Sequence, residues 1–212
     1  MRLAVFDCDG TLVDGQASIC EAMEAAFGAF GLAAPSRGEI RRAVGLSLPQ
    51  AIRRLVPESS HDQQHAMAEA YKDAFRTARL EGRVSQPLFD GIEQVLRGLH
   101  GAGWTLGVAT GMSDRGLAHC LDVNGIADLF VTLQTADRHP SKPHPAMLEE
   151  ALFEAGALAG QAVMIGDTAF DMQMAMSAGT RAVGVDWGYH HPHELAAAGA
   201  EKVVTTPAEL LE

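Results

Sequence analysis

The chain has 212 residues, 47% apolar, 20% charged and 6% aromatic, a composition that excludes disordered, collagenous and low-complexity classes and allows one full core. Sixteen Lys and Arg against 27 Asp and Glu leave a net charge of −11, so neither nucleic acid nor anionic lipid is an expected partner. The longest uncharged stretch, Gly98 to Ser113, is broken by glycines and falls short of the ~20 apolar residues of a membrane helix. No secretory leader is expected from MRLAVFDCDG, and Cys8, Cys20 and Cys120 lack CxxC spacing and read as free, packed thiols. The expectation is a cytosolic protein.

In chain order, the apolar run Leu3 to Phe6 predicts a buried strand that ends at Asp7. Nothing between residues 15 and 85 reads as a strand. Four helical patterns follow one another there: Gln16 to Phe30 stopped by Gly31, one opened by Ser36 with Glu39, one opened by Ser47 with Gln50, and Ser60 to Glu81 stopped by Gly82. This segment carries a charge of +1 and the remainder −12, so the basic residues gather in it.

After residue 85 strands and helices alternate. Asp90 with Glu93 predicts a capping box, Thr105 to Thr110 a strand, Ser113 a helix that closes near Gly125, Leu129 to Leu133 a strand, and Pro143 to Ala155 an amphipathic helix. Two more strands are expected at Ala162 to Ile165 and Ala182 to Val185. Such alternation predicts an α/β protein with a Rossmann-like parallel sheet, residues 1–14 and 86–212, interrupted by an all-α domain, residues 15–85.

Four short motifs stand where these strands end. In Asp7-Cys8-Asp9-Gly10-Thr11 the two carboxylates are two residues apart on extended chain and so share a direction. They face the carboxyl edge of the sheet, where open α/β sheets bind ligands. Gly10 permits a tight turn and offers an N–H close to a ligand. Gly166-Asp167-Thr168-Ala169-Phe170-Asp171 brings two more acids to that edge, on one face at i, i+4 if the turn becomes helical. Several hard carboxylate oxygens together suit Mg²⁺. Thr110 and Gly111 end the second core strand and can hold phosphate oxygens with a hydroxyl and an N–H. Lys142, in the proline-bracketed Ser141-Lys142-Pro143-His144-Pro145, can neutralise the acids and bind phosphate.

In order and spacing, DCDGTLVD, VATG, SKPHP and GDTAFD resemble the haloacid dehalogenase superfamily, in its phosphatase branch with a helical cap inserted after the first motif. The phosphoglycolate phosphatase-like group is the nearest match, and Trp187-Gly188-Tyr189 is similar to a stretch in that group. The resemblance implies a Mg²⁺-dependent hydrolase of small phosphate monoesters, with 2-phosphoglycolate as the first candidate. It implies that Asp7 is the nucleophile, Asp9 the general acid and base, Thr110 and Lys142 the phosphate holders, and Asp7 and Asp167 the metal ligands. Asp9 would add its carbonyl, and Asp171 would support the metal through water. The chain departs from the pattern at Met112, where many relatives carry lysine, and at Gly15, where serine or threonine is commoner beside the cap hinge.

Rival readings are a sugar-phosphate mutase of the same superfamily, a dehalogenase, and a non-enzymatic phospho-accepting receiver. Asp9 argues against the dehalogenase, and the helical insertion against the receiver. Substrate specificity is expected from Arg41, Arg42, Arg53 and Arg54, which flank the loop Gly45-Leu46-Ser47. His190, His191 and His193 read as a solvated loop, and Met172, Met174 and Met176 as core.

Overall fold

A computed structural model describes residues 2–212. Six parallel strands form one sheet in the order β3-β2-β1-β4-β5-β6. They are β1 (Arg2–Phe6), β2 (Trp104–Thr110), β3 (Phe130–Thr135), β4 (Ala162–Gly166), β5 (Arg181–Val185) and β6 (Lys202–Val204). The apolar runs of the sequence mark the first five. The edge strand β6 was not expected, because three residues of Lys-Val-Val are too few to show a period.

Alternation inside β1 explains the layering. Ala4 and Phe6 pack on one side with α5 (Ile92–Gly101) and α6 (Asp114–Val123), through Leu96, Leu99, Leu117 and Leu121. Leu3 and Val5 pack on the other with α7 (Ala146–Ala155), α8 (Ala169–Ala178) and α9 (Pro192–Ala197), through Met147, Leu148, Met172 and Leu195. A strand buried on both faces must be apolar throughout, which is why β1 shows no polar alternation.

Between β1 and β2 lie α1 (Gln16–Ala29), α2 (Arg37–Arg41), α3 (Leu48–Leu55) and α4 (His61–Leu80). They enclose their own apolar cluster, with Met23 and Phe27 of α1 meeting Ile40, Ile52 and Met67. Ser36 and Glu39 form the expected capping box, and Ser60 caps α4. Ser47 precedes α3 without bonding its backbone, and Pro49 in the first turn takes over as start signal. The Asp90–Glu93 capping box does not form: α5 starts from Gly91 at φ +90°, and Glu93 pairs with Arg97 instead. No helix of the described residues is long and apolar enough to cross a membrane.

Two sequence readings are corrected here. His190 is buried, its Nδ1 accepting from the Ala169 N–H at 3.2 Å and its Nε2 lying 3.3 Å from the Arg42 carbonyl, so it is no solvated loop residue. His191 precedes α9 and stacks on His193. Met172 and Met174 are core, whereas Met176 is 58% exposed because it falls on the outer face of α8.

Candidate active site

The strand order places the site. β1 is flanked by β2 on one side and β4 on the other, so the chain reverses its direction of winding beside β1 and leaves a crevice at the carboxyl ends of these strands. Asp7 follows β1, Thr110 ends β2 and Asp167 follows β4, and register sets the three side by side. Lys142 arrives from the β3–α7 loop.

Lys142 is fully enclosed between two carboxylates, its Nζ 2.8 Å from Asp7 Oδ1 and 2.6 Å from Asp171 Oδ1. Both acids push its pKa above the ordinary lysine value and outweigh the burial that opposes them. Asp171 is largely committed: Oδ2 accepts from the Thr168 hydroxyl at 2.7 Å and the Thr168 N–H at 3.1 Å, closing a capping box on α8. Its first role in the fold is to hold Lys142.

Asp7 differs. Both of its carboxylate oxygens are buried and neither accepts a well-directed hydrogen bond, although the ammonium of Lys142 stands beside one. Burial raises its pKa to about 7 against the pull of Lys142, with Asp171 adding to the rise. Asp167 accepts from the Thr11 hydroxyl at 2.8 Å and the Tyr189 N–H at 2.9 Å, and burial followed by Asp7 and Asp171 lifts its pKa well above the carboxylate range. Oxygens of Asp7, Asp167 and Asp171 lie within 4.8 Å of one another. The three carboxylates have one ammonium among them, which contacts Asp7 and Asp171, and the two Asp7 oxygens have unused lone pairs, so the residues fit a hard divalent cation.

The Asp9 side chain stands apart from that cluster. Gln86 Nε2 donates to its Oδ1 at 3.3 Å, and burial raises its pKa to about 6 against this bond. Thr110 is buried with its Oγ1 accepting from the Met112 N–H, which leaves the hydroxyl proton free to donate toward a ligand. Gly10, at φ +90°, lies so close to Asp167 that a Cβ would come within 2.3 Å of Oδ2. A Cβ at Gly111 would meet the Leu46 carbonyl at 2.5 Å. The loop Gly45-Leu46-Ser47 therefore rests directly on the sheet edge, and the Ser47 N–H donates to Ser141 Oγ at 2.8 Å.

A cavity of about 560 Å³ opens above Asp7, Asp9 and Thr110 and is roofed by α1, α3 and α4. The four arginines expected to read the substrate are not among its lining residues. Arg42 pairs with Glu194 of α9, Arg41 donates to Gln16, Arg54 lies over the Phe170 ring, and Arg53 is exposed. Helix phase explains this placement: the loop they flank reaches the site, but their side chains leave it on the faces turned toward α1, α8 and α9 or toward solvent. Gln86 and the Tyr189 N–H escaped the sequence reading. A lone glutamine in a loop carries no signal, and backbone N–H groups carry none at all.

The haloacid dehalogenase-like hydrolase family matches residues 4–185. The chain is 34% identical to the probable phosphatase IndB of Dickeya dadantii (99% of this chain, 91% of that one). It is 29% identical to a phosphoglycolate phosphatase of Vibrio parahaemolyticus (100% and 95%). A hydrolase from Pseudomonas syringae superposes with a TM-score of 0.87 at 24% identity, covering 100% of this chain and 96% of that one, a likeness of fold.

Proposed function

The chain belongs to the haloacid dehalogenase-like hydrolases, and we propose that it is a Mg²⁺-dependent phosphatase that hydrolyses a small phosphate monoester through a phosphorylated Asp7. The observation that carries this reading is the state of Asp7: a buried carboxylate with no well-directed hydrogen bond on either oxygen, held by one ammonium at the switch point of the sheet. A structural aspartate would be hydrogen-bonded. A nucleophile has to keep its lone pairs.

Asp7 and Asp167 would hold the cation, with the Asp9 carbonyl and, through water, Asp171 completing the set. When bound there, Mg²⁺ supplies positive charge against the phosphoryl oxygens and the Asp7 carboxylate. Asp7 attacks phosphorus, and the ester oxygen departs with a proton from Asp9. Asp9 then takes a proton from water, which attacks phosphorus again and frees inorganic phosphate. A carboxyl with a pKa near 6 is suited to give and recover a proton around neutral pH. Lys142, the Thr110 hydroxyl and the Gly111 N–H hold the equatorial oxygens, and Gly10 lets backbone approach them. Residues 15–85 act as a cap over the site. The similarity to phosphoglycolate phosphatases makes 2-phosphoglycolate the first substrate to assay.

The test is release of phosphate from a panel of phosphorylated metabolites and a generic aryl phosphate with Mg²⁺ and with excess chelator. Turnover that requires Mg²⁺ and disappears in Asp7→Asn is expected. Undiminished turnover in chelator would remove the metal from the mechanism.

A further inference from the structure

On α4 three basic residues follow one another along the cavity wall: Lys72, Arg76 and Arg79. The first two are each neutralised by an acid three residues earlier, Glu69 and Asp73. Three residues before Arg79 stands Arg76, and Arg79 forms no ion pair among the described residues. Its Nε is buried with no hydrogen-bond partner, and its guanidinium lies 5.5 Å over the Phe75 ring.

Arg115, from the first turn of α6, lines the same cavity and also forms no ion pair among the described residues. It stands near enough that, after burial, its charge is the next cause holding the Arg79 pKa down. Of the acids in this wall, Glu69 is paired with Lys72, and Asp137 accepts the Asp114 N–H on Oδ2 and forms an ion pair with neither arginine. Two guanidiniums in one cavity, neither paired with an acid, repel, and a buried N–H without an acceptor adds to that cost. An anionic group seated between them would reverse both terms.

We infer that Arg79 and Arg115 form an anion subsite that binds a second negatively charged group on the substrate, a carboxylate or a second phosphate. This rests on the phosphatase reading and deepens it. One guanidinium comes from the cap and the other from the α/β core, so the anion would bridge the two parts. Phe75 holds Arg79 in place by its ring face.

The experiment measures kcat/KM for alkyl phosphates of stepped chain length, each ending in a methyl, a carboxylate or a second phosphate. At one length or more the unmodified enzyme should prefer an anionic end over methyl by about tenfold, the worth of a charge-assisted contact. Which anionic end gives the larger preference identifies the group. Arg79→Gln and Arg115→Gln should each lower that ratio about tenfold, and Arg79→Lys less than Arg79→Gln. Arg53→Gln, an exposed substitution outside the cavity, should leave the ratio unchanged. Thermal unfolding midpoints within a few degrees of the unmodified protein's would show that the variants fold. No preference for an anionic end at any length, or a preference that survives both glutamine variants, overturns the subsite. Failure of the unmodified enzyme to release phosphate from any compound, a generic aryl phosphate included, would instead overturn the phosphatase reading, and the subsite with it.

Discussion

Asp7 and Asp9 are two residues apart and both buried, yet their surroundings give them different work. Asp7 keeps its oxygens open beside Lys142, whereas Asp9 is held by Gln86 outside the acid cluster. Asp9→Asn should therefore slow alkyl phosphates, whose leaving groups need a proton, far more than aryl phosphates, whose leaving groups depart unaided. Equal losses on both would remove Asp9 as the acid. Gln86 donates to Asp9 and so favours its ionised form. In Gln86→Leu the Asp9 pKa should rise, and the limb of the pH–kcat/KM profile assigned to Asp9 should move to higher pH. A limb that stays in place or moves to lower pH would show that the bond does not tune the acid.

At the level of elements, the start of α8 joins fold to chemistry. Thr168 caps this helix with its hydroxyl, and Asp171 answers with Oδ2 while Oδ1 holds Lys142. Thr168→Val keeps the shape and removes the cap. It should cost about 1–3 kcal/mol of stability in urea unfolding, because the loss leaves a buried carboxylate oxygen short of a donor. It should also lower turnover, through a less firmly held Lys142. A change below about 0.5 kcal/mol, the range of ordinary surface substitutions, would show that the capping box is not worth its buried position. Thr168 also meets the loop before α3, where a Cβ at Gly45 would come within 3.1 Å of its hydroxyl, so the helical segment between β1 and β2 rests on the element that carries Asp171.

For the whole molecule the crowded acids set a pH dependence. Burial raises Asp9 from near 3.8 to about 6 and Asp7 to about 7, so the folded chain holds these protons more tightly than the unfolded chain. Stability from this source is full below about pH 4 and is lost as pH rises through about 6 to 7. Two groups act in the opposite sense: Glu194, held at about 2 by Arg42, as pH falls below about 4.5, and His190, whose pKa burial lowers, as pH falls below the ordinary histidine range, one imidazole against the buried acids. Metal-free protein should thus have a lower urea midpoint at about pH 8 than at about pH 5, and Mg²⁺ should raise the midpoint more at the higher pH, where it replaces the lost protons. Equal Mg²⁺ effects at the two pH values would contradict a cation among these carboxylates.

The sequence by itself determined the strands that are buried on both faces, most helix starts and stops, and the residues at the sheet edge. Each depends on short-range chemistry: apolar runs such as Leu3 to Phe6, caps such as Ser36 with Glu39, and acids placed directly after a strand. Tertiary structure decided what depends on helix phase and on distant partners. The cap arginines flank the right loop but turn away from the cavity, and Arg79, from the far end of a long helix, stands in its wall with Arg115 from the core. His190 became an enclosed link between α8 and the end of α2 through contacts with residues 21 and 148 positions away, which no local pattern encodes. Asp171 likewise took its two partners from its own helix cap and from a loop 29 residues earlier, and the fold alone brings that loop to it.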